Sequence, residues 1–194
     1  MIFSGTIPYL LTGTIEGFSN IFFETTSGYT ATGATIINDV EILPEGILFW
    51  RSITHWLGGM GMIVFAIAIL PLLGIGGMQL FKMESSDRSD KPLPRLVEIS
   101  RSIIIIYVIL SLACVVAYLL VGLTPFDALT HGMTTVATGG FSTHDESLGY
   151  YDSYAVLWVA ILFMIVGGLP FSVFVAIFFT RNFPKLDPQV LTFL

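Results

Sequence analysis

Long apolar runs alternate along the chain with short polar stretches that contain glycine. Three runs lack Asp, Glu, Lys and Arg: residues 52–81, 102–126 and 153–180. About 20 apolar helical residues cross the roughly 30 Å hydrocarbon core of a bilayer, so each run is long enough to do so. We therefore predict membrane spans at about 46–81, 102–124 and 153–180. The last is interrupted by Gly167-Gly168-Leu169-Pro170.

Two segments between the spans are too short to cross a bilayer. Residues 18–29 and 125–137 each allow a helix of about three turns. Each is followed by a stretch rich in Thr and Gly, at about 30–35 and 137–142. Polar backbone at membrane depth is tolerated only where protein buries it or where it lines a water-filled path. We therefore predict two re-entrant pore helices, each followed by a filter loop.

The order of these segments is an internal repeat. We predict an all-α membrane protein with a first pore unit at 1–81, a link at 82–101, a second unit at 102–180 and a tail at 181–194. The leading span of the first unit is expected to be truncated, which leaves about one and three-quarter span–pore-loop–span units. Both copies cross the membrane in the same direction, which favours a channel architecture over the inverted repeats of many transporters.

Composition and charge set the class and the orientation. The chain is 54% hydrophobic and 11% charged, against roughly 25% charged residues in soluble domains. Seven of the eight Lys and Arg residues lie in the 82–101 link or at 181–185. By the positive-inside rule, the link and the tail are cytoplasmic, and we expect a multi-pass protein of the cell (inner) membrane, in contact with lipid. The acidic residues of the other loops then face outward, either to concentrate cations or as ordinary solvated groups.

The two polar loops meet the demands of a cation filter. Such a filter replaces the water around an ion with backbone carbonyls, and glycine allows the backbone angles that this requires. The negative C-terminal end of each pore helix would face the ion path. The candidate carbonyl donors are Thr30, Ala31, Thr32 and Gly33 in the first loop, and Ala137, Thr138, Gly139 and Gly140 in the second.

The register between the two loops has two solutions. An offset of 106 superimposes Ala31-Thr32-Gly33 on Ala137-Thr138-Gly139. An offset of 107 pairs Gly33 with Gly140, and we prefer it while keeping both glycines of the second loop as candidates.

Several polar groups near the loops have two interpretations. Arg51 and His55 lie on one helix face, either as interfacial anchors beside Trp50 and Trp56, which we favour, or as functional groups that sit beside the filter or pair with Glu24. An ionisable group within the membrane is a functional candidate by default, so Glu24 could brace the first loop by hydrogen bonding.

Two histidines belong to the second copy. His131 would act there as Glu24 does in the first, under the offset of 107. The adjacent His144 and Asp145 form a minor candidate for a metal site on an outer loop.

Other functions find little support in the sequence. The single cysteine, Cys114, excludes an intrachain disulfide and a cysteine-based metal site. Hydrolase, phosphate-binding and dinucleotide-binding motifs are absent, so we expect neither an enzyme nor an organic cofactor. The basic residues are too few, and too confined to one loop, for nucleic-acid binding.

Five stretches resemble the TrkH-type subunits of the Trk/Ktr/HKT superfamily of potassium transporters. They are ETTSGYTATGAT (24–35), FWR (49–51) with WLGGMGMIV (56–64), LP (70–71) with GGMQLF (76–81), GGFSTHD (139–145) and GYYDS (149–153). The resemblance implies a potassium-channel type of fold with four units around one pore and one filter glycine per unit, of which this chain holds about 1.75. It implies potassium as the transported ion and a cytoplasmic nucleotide-binding regulatory subunit. It further implies a homodimer of full-length subunits, with the pore completed by a missing C-terminal half or by a second copy.

Two other functions stay open at this point. A non-conducting scaffold would dock a cytoplasmic regulator through the 82–101 link. A sodium-coupled solute transporter would require inverted repeats, which the parallel order of the segments disfavours.

Overall fold

A computed structural model of the protein describes residues 2–69, 92–169 and 174. Every regular element among these residues is helical. The α-helices are α1 (Ile2–Gly5), α2 (Ile7–Thr12), α3 (Phe18–Tyr29), α4 (Glu45–Ile69), α5 (Pro92–Leu120), α6 (Pro125–Val136) and α7 (Tyr154–Gly168), and a 3-10 turn spans Ser147–Tyr150.

The two short helices, and the starts of α4 and α7, lie close to where the sequence places them. The predicted continuation of α4 to 81 lies outside the described residues, and α7 ends at Gly168, at the predicted interruption of the span 153–180. Helix α3 covers the predicted 18–29, and α6 ends one residue before the predicted 137. Helix α5 begins at Pro92, inside the predicted 82–101 link, because proline is compatible with the first turn of a helix. The remainder of the link and the predicted tail lie outside the described residues. The division into pore units stays a prediction.

Local chemistry explains two of these boundaries. Thr124 caps α6, since its hydroxyl oxygen accepts a hydrogen bond of 3.1 Å from the Asp127 N–H. At the end of α7, Leu169 leaves the helical region with φ −71° and ψ 145°. Proline disfavours the helical conformation in the residue before it, so Pro170 in the sequence accounts for this end.

Helix α4 lies between two apolar clusters. The first combines α2 and α3 with the segment leading into α4, and its buried side chains include Tyr9, Ile15, Ile21, Leu43 and Ile47. The second combines α5, α6 and α7, and includes Ile103, Tyr107, Tyr118, Val136 and Val156. We call residues 2–69 the first half and residues 92–169 the second half. Helix α4 also contacts α3, α5 and α6, so it connects the two halves.

Much of the outer surface of these halves is apolar. Among the described residues, Ser100–Leu120 of α5 is long and apolar enough to cross a bilayer. Helix α7 and the stretch Ile2–Thr12 are apolar but shorter. Large exposed hydrophobic side chains on α5 and α7 include Leu112, Leu120, Trp158 and Leu162.

Candidate functional site

Helices α3 and α6 end in the same backbone turn. Ala31 and Thr138 have φ of 51° and 52°, in the left-handed region that residues with a Cβ rarely adopt. Two residues later, Gly33 and Gly140 have φ of 78° and 91°. Both pairs are 107 positions apart, so the backbone selects the offset of 107 over 106.

Hydrogen bonds repeat at the same offset. The N–H of Thr32 donates to the Ser27 carbonyl at 3.0 Å, and that of Gly139 donates to the Thr134 carbonyl at 2.9 Å. Each bond closes the last turn of its short helix over the start of the loop. The two copies therefore share their bonding as well as their backbone angles.

The two loops are in contact with one another. A Cβ at Gly33 would overlap the carbonyl oxygen of Gly139 and lie 3.7 Å from Gly140 Cα. All eight predicted carbonyl donors belong to these two loops. Four of them are exposed: Thr30, Thr32, Thr138 and Gly140.

Glu24 holds the end of the first loop. Its carboxylate is completely buried and accepts hydrogen bonds from the Thr35 hydroxyl at 2.8 Å and the Ile36 N–H at 3.1 Å. Arg51 donates to the same carboxylate at 2.7 Å. The bracing contact considered for Glu24 is therefore present, and the residue it holds lies two positions after Gly33.

His131 does the corresponding work in the second copy. Its Nδ1 is 2.9 Å from the Asp127 carbonyl, which can only accept, so Nδ1 carries the proton. Its Nε2 lies 3.0 Å from the Ser142 hydroxyl, within hydrogen-bond distance. Ser142 lies two positions after Gly140, as Thr35 does after Gly33. An imidazole thus takes the place of the paired carboxylate of the first copy.

Arg51 and His55 lie behind the loops, so their favoured interpretation as interfacial anchors is wrong. Arg51 is only 2% exposed, and His55 is completely buried. Besides pairing with Glu24, the Arg51 guanidinium lies 4.2 Å from the centre of the Phe141 ring. The imidazole of His55 stacks on the same ring, with centroids 3.9 Å apart and an interplanar angle of 12°. The alternative in which Arg51 pairs with Glu24 is the one that the structure contains.

Two glycines of α4 bring this helix against both loops. A Cβ at Gly58 would overlap the Tyr29 carbonyl oxygen, and one at Gly59 would lie 3.1 Å from the Cβ of Ala137. Tyr29 and Ala137 mark the ends of the two short helices. Small residues therefore let α4 approach both turns closely.

Replacing Gly58 by Ala is expected to destabilise the protein by about 1–3 kcal/mol, the usual effect of overpacking. Gly61, on the same helix, has nothing within 4 Å of an added Cβ. Gly61→Ala should therefore be neutral or stabilise by up to about 1 kcal/mol through helix propensity. Thermal unfolding of the purified variants measures both effects. Equal melting temperatures for the two variants would contradict the close approach at Gly58.

An outer clasp, formed by Val40 and Glu41 on one side and His144 and Asp145 on the other, joins the two halves. The Val40 N–H donates to the Asp145 carboxylate at 2.7 Å. His144 Nδ1 lies 3.2 Å from the Glu41 carboxylate, and its ring stacks on Tyr150. Within the described residues, no group of three His, Cys, Asp or Glu side chains is arranged to hold a metal ion. His144 and Asp145 instead contact the first half.

Asp127, at the start of α6, lies next to this clasp. Burial acts to raise the pKa of its carboxyl group, but hydrogen bonds from Thr143 and Thr124, together with the nearby His131 and His144, outweigh burial, so the pKa lies below its ordinary value. The carboxylate form is therefore favoured, and it fixes the chain that follows the second loop.

Comparison with known proteins identifies the family of the chain. The family model described as "TrkH: Cation transport protein" matches residues 1–191. The Trk system potassium uptake protein TrkH of Vibrio parahaemolyticus is 42% identical, over 98% of this chain and 41% of the relative. TrkG of Escherichia coli, also named a Trk system potassium uptake protein, is 47% identical over 80% of this chain and 32% of its own length.

A solved structure shares the fold. The crystal structure of the potassium transporter TrkH from Vibrio parahaemolyticus superimposes with a TM-score of 0.84 at 41% sequence identity. The match covers 97% of this chain and 38% of the solved chain, so this chain spans well under half of these relatives' length. Since the family model matches nearly all of the sequence, the chain belongs to the TrkH family of cation transport proteins.

Proposed function

We propose that this chain supplies two of the pore loops of a potassium uptake pathway in the cell membrane. The observation that carries the proposal is the pair of loops with matching backbone angles that meet at Gly33 and Gly139. The names of the relatives add the ion, since they are potassium uptake proteins. The carbonyl groups of residues 30–33 and 137–140 hold the dehydrated ion in this proposal.

The backbone angles suit this role. In each loop a residue with positive φ is followed by one without it and then by a glycine with positive φ. Positive φ at alternate residues, one of them a glycine, interrupts the regular backbone path of a strand or helix, so neighbouring carbonyl groups can turn toward the same side. Several carbonyl oxygens can then face one ion and replace its hydration shell. The C-terminal ends of α3 and α6 add their negative dipole ends at the same place.

The complete pathway needs more than this chain. We assign it about 1.75 of four units, so the other two loops come from a C-terminal continuation or from a second copy. A homodimer of full-length subunits and a cytoplasmic nucleotide-binding subunit complete the assembly. The basic 82–101 link faces that subunit in the cytoplasm, and the acidic outer loops face the side from which potassium enters.

Rubidium and sodium uptake in cells that lack their own potassium transporters tests the proposal. The complete product of the gene should restore growth at low potassium. The variants Gly33→Ser and Gly140→Ser should reach the membrane but lose much of the preference for potassium over sodium. Gly46→Ser is a matched control, because nothing lies within 4 Å of a Cβ at this exposed position.

Two results would contradict the proposal. One is wild-type protein that reaches the membrane and restores neither growth nor rubidium uptake. The other is an unchanged ion preference in both loop variants, which would favour a scaffold that does not conduct.

A further inference from the structure

Arg51 is in contact with residues near the end of both loops. Its Nη1 donates to Glu24 at 2.7 Å and to the Thr35 hydroxyl at 3.3 Å, on the side of the first loop. On the side of the second loop, its guanidinium carbon lies 4.2 Å from the centre of the Phe141 ring. Thr35 follows Gly33 by two residues, and Phe141 follows Gly140 directly. The Arg51 side chain therefore contacts residues that come one or two positions after Gly33 and Gly140.

The surroundings of Arg51 fix its position. Its side chain is almost fully buried, and its partner Glu24 is completely buried. His55, one helical turn further along α4, stacks on the same Phe141 ring. Since the loops also touch directly at Gly33 and Gly139, a shift of Phe141 changes the spacing between the two sets of carbonyls.

We infer that Arg51 is a positioning residue that sets the spacing of the two pore loops through the Phe141 ring. This inference rests on the proposed potassium pathway. The planar guanidinium can pair with a carboxylate at its edge and lie against an aromatic ring with its carbon centre, and a lysine ammonium cannot do both. Ion preference therefore depends on the contact between Arg51 and Phe141 as well as on the carbonyls that hold the ion.

A purely structural role for Arg51 gives a different expectation. If the side chain only neutralises Glu24, Arg51→Lys keeps the charge and leaves ion preference unchanged. Phe141→Leu then also leaves it unchanged, because the ion pair with Glu24 is intact in that variant. The ratio of potassium to sodium uptake, normalised to the protein present in the membrane, separates the two roles.

The experiment compares Arg51→Lys, Phe141→Leu and the double variant, in the complete gene product, in potassium-uptake-deficient cells. Each single variant is expected to lower the potassium-to-sodium uptake ratio about tenfold, the effect of losing one desolvated cation–π contact. The double variant is expected to lower it no further, because both changes remove one contact. Phe163→Leu makes the same substitution at a partly buried aromatic residue of α7, in the second apolar cluster, and should leave the ratio unchanged.

Two outcomes would overturn the inference: unchanged ratios in both single variants, or a double variant whose loss is the product of the two single losses. If Arg51→Lys does not reach the membrane, the Phe141 variants alone distinguish the two roles. A lowered ratio in Phe141→Leu with a retained ratio in Phe141→Tyr supports the ring contact, and equal ratios in Phe141→Leu and wild type overturn it. If the wild-type protein takes up no potassium, the proposed function itself is wrong. If the wild-type protein is selective and the variants have the same uptake ratio, only the role of Arg51 is wrong.

Discussion

Glu24→Ala is expected to lower the free energy of unfolding by about 3–5 kcal/mol, the usual cost of removing one partner from a buried ion pair. The substitution leaves Arg51 as an unpaired cation that is only 2% exposed. It also removes the acceptor of the Thr35 hydroxyl and of the Ile36 N–H, so the end of the first loop loses its fixed position. Thermal unfolding in detergent, followed by intrinsic fluorescence, measures the effect.

Two comparisons identify the cause of that loss. Glu16→Ala removes an exposed carboxylate and should change stability by less than about 0.5 kcal/mol. The double variant Glu24→Leu with Arg51→Met should recover part of the stability, because no buried charge is left unpaired. If the double variant were less stable than Glu24→Ala, the unpaired charge would not be the cause.

Gly33→Ala is expected to abolish selective potassium uptake and to destabilise the protein. An alanine at φ 78° adopts a left-handed conformation that costs about 1–2 kcal/mol. Its Cβ would also overlap the carbonyl oxygen of Gly139, so the two loops would have to separate. Overpacking of this kind adds about 1–3 kcal/mol. Uptake of rubidium and the melting temperature report the two effects separately.

Gly13→Ala is the matched control for backbone strain. Gly13 has a similar φ of 63°, but nothing lies within 4 Å of an added Cβ. This variant should show only the strain, with uptake unchanged. Gly140→Ala is also open around its Cβ, so it should melt above Gly33→Ala. Equal melting temperatures for Gly33→Ala and Gly13→Ala would argue against close contact between the loops.

The positions of the short helices could be predicted from the sequence because their signals are local. Segments of about three turns, preceded by glycine or beginning with proline and followed by Thr and Gly, predict α3 and α6 to within one residue. The start of α5 was harder to predict. Pro92 and Pro94 suggested a linker, whereas both fall in the first turn of the helix, where proline is tolerated.

The register could not be decided by residue identity. The letters Ala-Thr-Gly repeat at an offset of 106, while the backbone turns repeat at 107. The left-handed residue is Ala31 in the first loop and Thr138 in the second, so the conformations match at positions where the residue types differ. Residue type alone does not require positive φ at either position, since both carry a Cβ.

The contacts behind the loops depend on packing between distant parts of the chain. Spacing indicates that Arg51 and His55 share a helix face, but it does not identify the groups that this face contacts. Neighbouring tryptophans favoured an interface with lipid, whereas the buried partners are Glu24 and Phe141. The outer clasp was missed for the same reason, since Val40 and Asp145 are separated by 105 positions. The sequence offered one signal for these contacts, namely that the aromatic residue Phe141 directly follows Gly140.

Diffraction from crystals of the complete gene product soaked in rubidium or thallium tests the central claim most directly. Anomalous scattering locates these potassium substitutes without reference to transport. We expect ion density in direct contact with backbone carbonyl oxygens of residues 30–33 and 137–140, where the two loops meet. Ion density only elsewhere in the protein, with these carbonyls turned away from it, would contradict the account.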